Sequence, residues 1–419
     1  MEIAMRLRLQ TDKLHRIMFV GLVLRLIVLT IVLTTRSAIS IGFMGDSFLN
    51  DDVRYEAGAT IYSETAQSLI DVDAYRSAYL AVGDGVGSNT EGVFSSTPLW
   101  YWICSGMMYI FHTNIVIRLL NVLLGVLSIK YVYLFVSELS SEQVAIKSAR
   151  LMAYLPYPVI FCCFAYKDQL LTFILFYLFY KAARYRNTGK LLTSDIVGII
   201  LSALALFLLR SGLSIILLLI AVVIGISNER GEIIRSIISK HRTGIILGTF
   251  LSVVIGGVIL YKNIDVILFK VEHYQMRYTY SEVSQASINF AVIRGPSDFW
   301  KLPIDFVLSI FLPIGRYNQY YSWYGVVALL NYVSVPIAVG NVFYLFQKKF
   351  DKISYWLIMA VYIISAISSI NICRHFYSLL PICYIAYSDS VSKMSPGNKL
   401  FLFGGSLLLL SLLLWHYFL

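Results

Sequence analysis

The sequence predicts an all-α polytopic membrane protein. Hydrophobic residues make up 58% of the 419 residues and charged residues only 14%, and a mean hydropathy of +0.72 is too high for a soluble domain. Apolar stretches of roughly 17–22 residues recur along the chain, and a helix of that length crosses a hydrocarbon core of about 30 Å. Because no repeat or linker-like tract divides the chain, residues 1–419 are predicted to form one integral-membrane domain.

The net charge of +10 is explained by membrane topology and does not indicate a nucleic-acid partner. No aromatic and basic nucleic-acid-binding module is visible, whereas Lys and Arg accumulate in the cytoplasmic loops of multi-pass proteins. The first apolar run, Met18–Leu33, has no small-residue cleavage site and is predicted to be a retained anchor with a cytoplasmic N-terminus. Basic clusters place three later loops on the same side: Lys181 to Lys190, Arg230 to Arg242, and Lys348 to Lys352.

Two long polar regions are predicted to face the extracytoplasmic side. Residues 37–97 contain nine acidic side chains against only Arg54 and Arg76, which predicts a long first extracytoplasmic loop. Residues 262–324 form the second large extracytoplasmic region. Trp100, Trp102, Trp300 and Trp323 are predicted to belong to an aromatic belt at the outer membrane surface.

About eleven transmembrane helices are predicted, with the C-terminus on the extracytoplasmic side. Pro98–Phe111 and Phe306–Pro313 are too short to cross the membrane, so both are predicted to be interfacial or re-entrant segments. The predicted full crossings include residues 118–136, 144–165, 169–183, 195–209, 213–227, 353–370 and 376–389.

This topology places several isolated charged residues on the side of the acidic loop. Ionisable residues near membrane depth are candidates for function, although an interfacial position or a snorkelling side chain is the plainer explanation. Arg25, inside the first span, is predicted to have a structural partner in the helix bundle. The functional candidates occupy three short polar turns: Lys167-Asp168, Arg210, and Arg374-His375.

Asp51 and Asp52 form the most distinctive acidic pair of the chain. One interpretation is a hydrated loop in which Asn50 or Asp51 caps a helix over residues 53–68. The other is a general base or metal ligand, because a carboxylate next to another carboxylate has a raised pKa and accepts a proton from a hydroxyl group. The pair alone does not decide between the two interpretations.

The order of short motifs along residues 15–390 resembles membrane glycosyltransferases of the GT-C class, especially bacterial lipid A aminoarabinose transferases and protein O-mannosyltransferases. An acidic-acidic-x-Arg-Tyr motif opens their first outer loop, and a Pro-aromatic segment ends it. Next come membrane-spanning segments that contain an Arg, a Pro and an Asp. A turn with a basic residue and a glycine follows, and then a run in which an Arg precedes aromatic residues. The matching residues are Asp51-Asp52-Val53-Arg54-Tyr55, Thr97-Pro98-Leu99-Trp100-Tyr101-Trp102, Arg118-Leu119-Leu120-Asn121, Pro156, Asp168-Gln169-Leu170-Leu171, Arg210-Ser211-Gly212 and Arg374-His375-Phe376-Tyr377.

The resemblance implies a GT-C-like architecture and an inverting transfer of sugar from a polyprenyl-phosphate donor to a lipid-linked or glycan acceptor. The active site would lie on the extracytoplasmic side of a bacterial cytoplasmic membrane, in contact with its lipids. Asp51 would be the catalytic base, beside Asp52 and with Asp168 as a further carboxylate. The expected substrate- and lipid-phosphate-binding residues are Arg54, Lys167, Arg210, Arg374 and His375.

Two questions stay open at the level of sequence. Related aminoarabinose transferases have an acidic and a basic residue where this chain has Ser96 and Thr97, so a divalent metal is neither required nor excluded. The alternative function is a polysaccharide polymerase that uses polyprenyl-diphosphate repeat units, for which Arg277 and Arg294 would matter most. A transporter or flippase fits less well, because its ionisable residues would lie at the membrane midplane.

Overall fold

The protein is all-helical throughout the part that the structure describes. A computed structural model describes residues 2–34, 51–82, 98–209, 211–226, 296–310, 329–348, 352–368 and 377–418, and these ranges contain helices and no strand. The prediction of an all-α protein is confirmed for these residues.

Fifteen α-helices are described, together with 3₁₀ helices at Pro296–Lys301 and Tyr332–Ser334. In chain order the α-helices are α1 Glu2–Thr34, α2 Asp51–Thr65, α3 Val72–Val82, α4 Pro98–Phe111, α5 Ile115–Leu139, α6 Glu142–Tyr154, α7 Pro156–Phe161, α8 Asp168–Thr188, α9 Thr193–Leu209, α10 Ser211–Ile226, α11 Leu302–Ser309, α12 Val335–Phe346, α13 Ile353–Ser368, α14 Leu380–Lys393 and α15 Pro396–Phe418.

Four helical stretches among the described residues are long and apolar enough to cross a membrane. They are Asp12–Thr34, Ile115–Leu139, Leu329–Phe346 and Pro396–Trp415. α4 has 14 residues, too few to cross the membrane as a straight helix, as expected for Pro98–Phe111. α11 has 8 residues and ends at Ser309, and residues 311–313 of the other short segment lie outside the described part of the chain. The number of eleven crossings remains a prediction.

The predicted crossing at residues 144–165 is wrong as a single helix. α6 ends at Tyr154 and α7 begins at Pro156, because Leu155 has an extended backbone with ψ of 141°. A proline clashes with the helical conformation of the residue before it, which explains the break at this position. After α7, residues 162–167 are not helical and lead directly into α8.

The break between α6 and α7 is stabilised by Arg25 of α1, which is fully buried. Its guanidinium donates hydrogen bonds to the carbonyl oxygens of Met152 at 2.9 Å and Ala153 at 3.0 Å. The last carbonyl groups of a helix lack hydrogen-bond partners within that helix. Here the N–H groups of the Arg25 guanidinium are the donors. The predicted structural role of Arg25 is therefore confirmed.

α2 and α3 form a helical pair that packs on α4 through aromatic rings. The rings of Tyr75 and Trp102 are stacked with centroids 4.1 Å apart, and Tyr75 meets Tyr101 edge-on at 5.4 Å. Tyr55 of α2 contacts Tyr101 at 6.1 Å. α2 runs from Asp51 to Thr65, close to the helix over residues 53–68 that one interpretation of the sequence placed here. The ring contacts fix its position against α4.

Asp71 closes the turn between α2 and α3. Its carboxylate accepts hydrogen bonds from the backbone N–H groups of Ala74 at 2.9 Å and Gln67 at 3.1 Å. These bonds from backbone N–H groups lower the pKa of Asp71 below its ordinary value. Asp71 thus caps the start of α3, a role that was not predicted from the sequence.

Gly58 allows a close approach between α2 and Tyr101 of α4. A Cβ atom at this position would lie 1.4 Å from the Tyr101 hydroxyl oxygen and 2.3 Å from its ring carbon Cζ. We expect Gly58→Ala to lower the free energy of unfolding by about 1–3 kcal/mol, because the buried Tyr101 ring must move. Unfolding with sodium dodecyl sulfate from mixed micelles measures this change.

Gly106→Ala in α4 is the matched control for this substitution. A Cβ atom at Gly106 would meet only Leu69 Cδ1, at 3.7 Å, which is an ordinary contact. The alanine should be neutral or stabilise the helix by up to about 1 kcal/mol. Equal destabilisation by the two substitutions would contradict the packing described here.

Candidate functional site

The non-helical residues 162–167, called here the 162–167 segment, lie at one end of the helix bundle and are bound by α4 and α5. Trp100 Nε1 of α4 donates a hydrogen bond to the Ala165 carbonyl oxygen at 2.9 Å. Asn121 Nδ2 of α5 donates to the carbonyl oxygens of Phe164 at 2.6 Å and Tyr166 at 2.8 Å. Buried carbonyl groups outside a helix require such donors, so these side chains determine the path of the segment.

A buried ion pair connects α2 to this segment. Arg118 Nε of α5 donates to Glu56 Oε1 of α2 at 2.6 Å, and the two side chains are only 2% and 3% exposed. Arg118 Nη1 also donates to the Cys163 carbonyl oxygen at 3.2 Å, and its guanidinium lies 5.7 Å from the Phe164 ring centroid. One arginine therefore joins α2, α5 and the 162–167 segment.

The start of α8 is joined to the chain segment that precedes α14. Gln169 Nε2 donates to Ser128 Oγ of α5 at 3.1 Å, while Tyr377 donates its hydroxyl proton to Gln169 Oε1 at 2.6 Å. Asp168, the first residue of α8, is buried and lies close enough to Tyr377 for an electrostatic interaction. Lys167 precedes it and is half-buried.

The structure describes three of the predicted site residues in full. Arg54 lies on α2 and is partly exposed, whereas Lys167 and Asp168 lie at the start of α8. Asp51 and Asp52 are the first two residues of α2, and their side chains fall outside the described part of the chain, as do all of Arg210, Arg374 and His375.

The structure describes residues that are close in sequence to Arg210 and Arg374. Leu209, immediately before Arg210, is fully buried in the apolar cluster that also contains Trp100 and residues of α2 and α3. Tyr377, three residues after Arg374, contacts Gln169. The structure thus brings α2, the start of α8 and the end of α9 to the same end of the bundle as Tyr377.

The residues that hold this end together were not predicted from the sequence. Glu56 was not singled out, and the available signal for its ion pair is Arg118, a charged residue inside an apolar span. Trp100 was predicted to lie in an exposed aromatic belt, and this is wrong because the side chain is fully buried. Its indole N–H satisfies a backbone carbonyl inside the protein, which places the ring in the core.

Cysteine and metal chemistry find no support among the described residues. Cys104, Cys162, Cys163 and Cys383 are buried and free, in agreement with a packing role. No group of three or more His, Cys, Asp or Glu side chains in the described ranges is arranged to hold a metal ion. The side chains of Asp51 and Asp52 lie outside these ranges.

We expect Trp100→Phe to lower the free energy of unfolding by about 1–3 kcal/mol, because the Ala165 carbonyl loses its buried donor. Trp415→Phe on α15 is the matched control, since Trp415 is 70% exposed and its replacement should change stability by less than about 0.5 kcal/mol. Unfolding of both variants in mixed micelles compares them directly. A Trp100→Phe protein as stable as the control would show that the hydrogen bond to Ala165 does not determine the path of the 162–167 segment.

Comparison with protein families, with curated proteins and with solved structures finds no match to this chain.

Proposed function

We propose that this protein is a membrane glycosyltransferase that moves a sugar from a polyprenyl-phosphate donor to an acceptor on the outer face of a bacterial cytoplasmic membrane. One observation carries the proposal. Chain segments that resemble glycosyltransferase motifs, far apart in sequence, meet at one end of the bundle. Glu56 of α2 contacts Arg118, and Arg118, Asn121 and Trp100 bind the segment that leads into Asp168.

The proposed reaction is an inverting displacement at the anomeric carbon. Asp51 accepts the proton of the acceptor hydroxyl group while that oxygen forms a bond to the anomeric carbon. The bond between this carbon and the donor phosphate oxygen breaks, and its electron pair stays on the polyprenyl phosphate. Positive groups near the leaving phosphate stabilise the developing charge, and we assign this role to Arg210, Arg374 and Lys167.

The surroundings of this end of the bundle suit a lipid-linked donor. α9 leads to Arg210 and exposes Ile200, Leu204 and Phe207, so apolar surface lies next to the proposed phosphate site. A polyprenyl chain requires an apolar surface of this kind. Its phosphate requires cations near the membrane surface, where α9 ends. Asp168 is buried beside this region, and we assign it as a further carboxylate of the active site.

Purified protein assayed with a panel of polyprenyl-phosphate sugars and membrane-extracted acceptors tests the proposal. Transfer of a single sugar with release of polyprenyl phosphate is the expected result. Growth of a polymer from polyprenyl-diphosphate repeat units would identify a polymerase instead. The absence of any bond formation, together with movement of lipid-linked sugar across proteoliposomes, would contradict the assignment as a transferase.

A further inference from the structure

The turn between α2 and α3, residues 66–71, has a well-defined conformation. The hydroxyl group of the fully buried Tyr62 donates to the Leu69 carbonyl oxygen at 2.9 Å and accepts a hydrogen bond from the Asp71 N–H group at 3.1 Å. The Asp71 carboxylate in turn binds two further backbone N–H groups. Because these bonds start from a buried side chain, the fold itself determines where the side chains of the turn lie.

This turn presents large apolar side chains at the protein surface. Leu69 is 47% exposed, Ile70 is 76% exposed, and Val72, the first residue of α3, is 59% exposed. Isolated exposed apolar residues are common, but a group of them marks a surface that contacts a membrane or another protein. Three such residues within four positions of a fixed turn therefore indicate a contact surface.

The end of α4 extends this apolar surface. Leu69 lies against α4 at Gly106, because its Cδ1 atom is 3.7 Å from the position of a Cβ atom at that glycine. Ile110 is one helical turn after Gly106, on the same face of α4. Ile110 is 54% exposed and the next residue, Phe111, is 53% exposed. We call this surface the apolar tip, and it consists of Leu69, Ile70, Val72, Ile110 and Phe111.

The apolar tip is continuous with an exposed apolar stripe on α5, which is long and apolar enough to cross a membrane. Ile115, Leu119 and Leu123 are 41%, 40% and 52% exposed, and their spacing of four residues places them on one side of the helix. The four residue steps from Phe111 to Ile115 span at most about 14 Å. The tip therefore lies close to the level at which α5 enters the membrane.

The side chains around the tip are those typical of a membrane surface. Tyr62 packs edge-on against Trp102 and Tyr109 of α4, with both pairs of ring centroids 6.2 Å apart. Trp and Tyr rings are enriched at the level of lipid headgroups. Gln67 and Asp73 are exposed on either side of the apolar turn and place polar groups at its edge. An apolar centre with an aromatic and polar edge fits the boundary between acyl chains and headgroups.

We propose that the apolar tip inserts into the membrane and contacts the acyl chains of the leaflet in which α5 begins. The polar edge limits the depth, so the inserted side chains lie about 5–10 Å into the boundary between headgroups and acyl chains. The α2–α3 pair, which belongs to the predicted extracytoplasmic loop 37–97, thus returns to the membrane surface. The proposal depends on α5 as a membrane-crossing helix and is independent of the enzymatic function proposed above.

Spin labels on the full chain in dioleoyl phosphatidylcholine liposomes test this insertion. Ile70→Cys carries the label at the most exposed residue of the tip. Leu123→Cys on α5 is the lipid reference, and Lys190→Cys, in the exposed turn after α8, is the water reference. Electron paramagnetic resonance measures the collision rates of each label with oxygen, which concentrates in lipid, and with a water-soluble nickel chelate. The unsubstituted protein, labelled in parallel, gives the background from its own cysteines.

The label at Ile70 should collide more often with oxygen than with the nickel chelate, as at Leu123, and the order should be reversed at Lys190. All three side chains are exposed, so the labels replace no buried contact. A preference for the nickel chelate at Ile70 would place the tip in water and overturn the proposal. The same preference at Leu123 would overturn it through its premise.

A protein partner on the tip would give a different result. The label at Ile70 would then be protected from both reagents, and this outcome also overturns insertion into lipid. Dipolar broadening of the spectrum in the fully labelled protein would identify that partner as a second copy of the chain.

Discussion

Asp51→Asn is expected to reduce sugar transfer by about 10²–10⁴-fold, because the acceptor hydroxyl group loses its general base. Asparagine has nearly the same shape and keeps an oxygen at the first residue of α2, so the helix should form as before. The measurement is the rate of polyprenyl-phosphate release with saturating donor. The proposed site predicts a lower kcat with little change in the KM of the donor, since the donor phosphate is assigned to other residues.

Asp73→Asn is the matched control for the loss of one carboxylate in the same region. Asp73 lies in the first turn of α3 and is exposed, and its replacement should leave the transfer rate within about twofold. Asp52→Asn, compared with Asp51→Asn, shows whether the second aspartate shares the chemistry. Wild-type activity in a folded Asp51→Asn protein would end the assignment of Asp51 as the base.

Arg118→Met is expected to have the largest effect on stability, a loss of about 3–5 kcal/mol in the free energy of unfolding. The substitution removes a cation that pairs with the buried Glu56 carboxylate. It also removes the hydrogen bond to the Cys163 carbonyl oxygen, so the 162–167 segment loses one of its attachments. Unfolding in mixed micelles gives the loss directly, and any remaining transfer activity should fall as α2 separates from α5.

A double substitution shows whether the ion pair itself causes this loss. Replacing both charges, with Glu56→Gln and Arg118→Met, removes the uncompensated carboxylate, so the double variant should be more stable than Arg118→Met alone. Lys130→Met is the control, because Lys130 lies on the same helix and is exposed. A double variant that loses the sum of both single effects would show that Glu56 and Arg118 act independently.

The sequence was sufficient for the properties that depend on local composition. Long apolar runs predicted α1 and α5, which are long enough to cross a membrane. The short run at Pro98–Phe111 predicted a helix of limited length, and α4 has 14 residues. Arg25, a charge inside an apolar span, was predicted to need a structural partner, since an unpaired charge is costly in such a place.

The candidate site was only partly predictable. The order of motifs pointed to α2, Trp100, Arg118, Asn121 and Asp168, and the structure brings all of these together. Their roles could not be deduced, because a hydrogen bond from Trp100 to Ala165 joins residues 65 positions apart. Hydropathy assigns an aromatic residue near a span end to the membrane surface, and it contains no information about a buried carbonyl group.

Apolar content and the positions of isolated charges were determined by the sequence alone, because each depends on residues within one or two helical turns. The tertiary structure decided which charged residues form ion pairs. Glu56 and Arg118 are 62 residues apart, and their ion pair exists only because α2 and α5 meet at the 162–167 segment. The break after Tyr154 likewise has a local cause in Pro156, but only packing places Arg25 on the carbonyl groups exposed there.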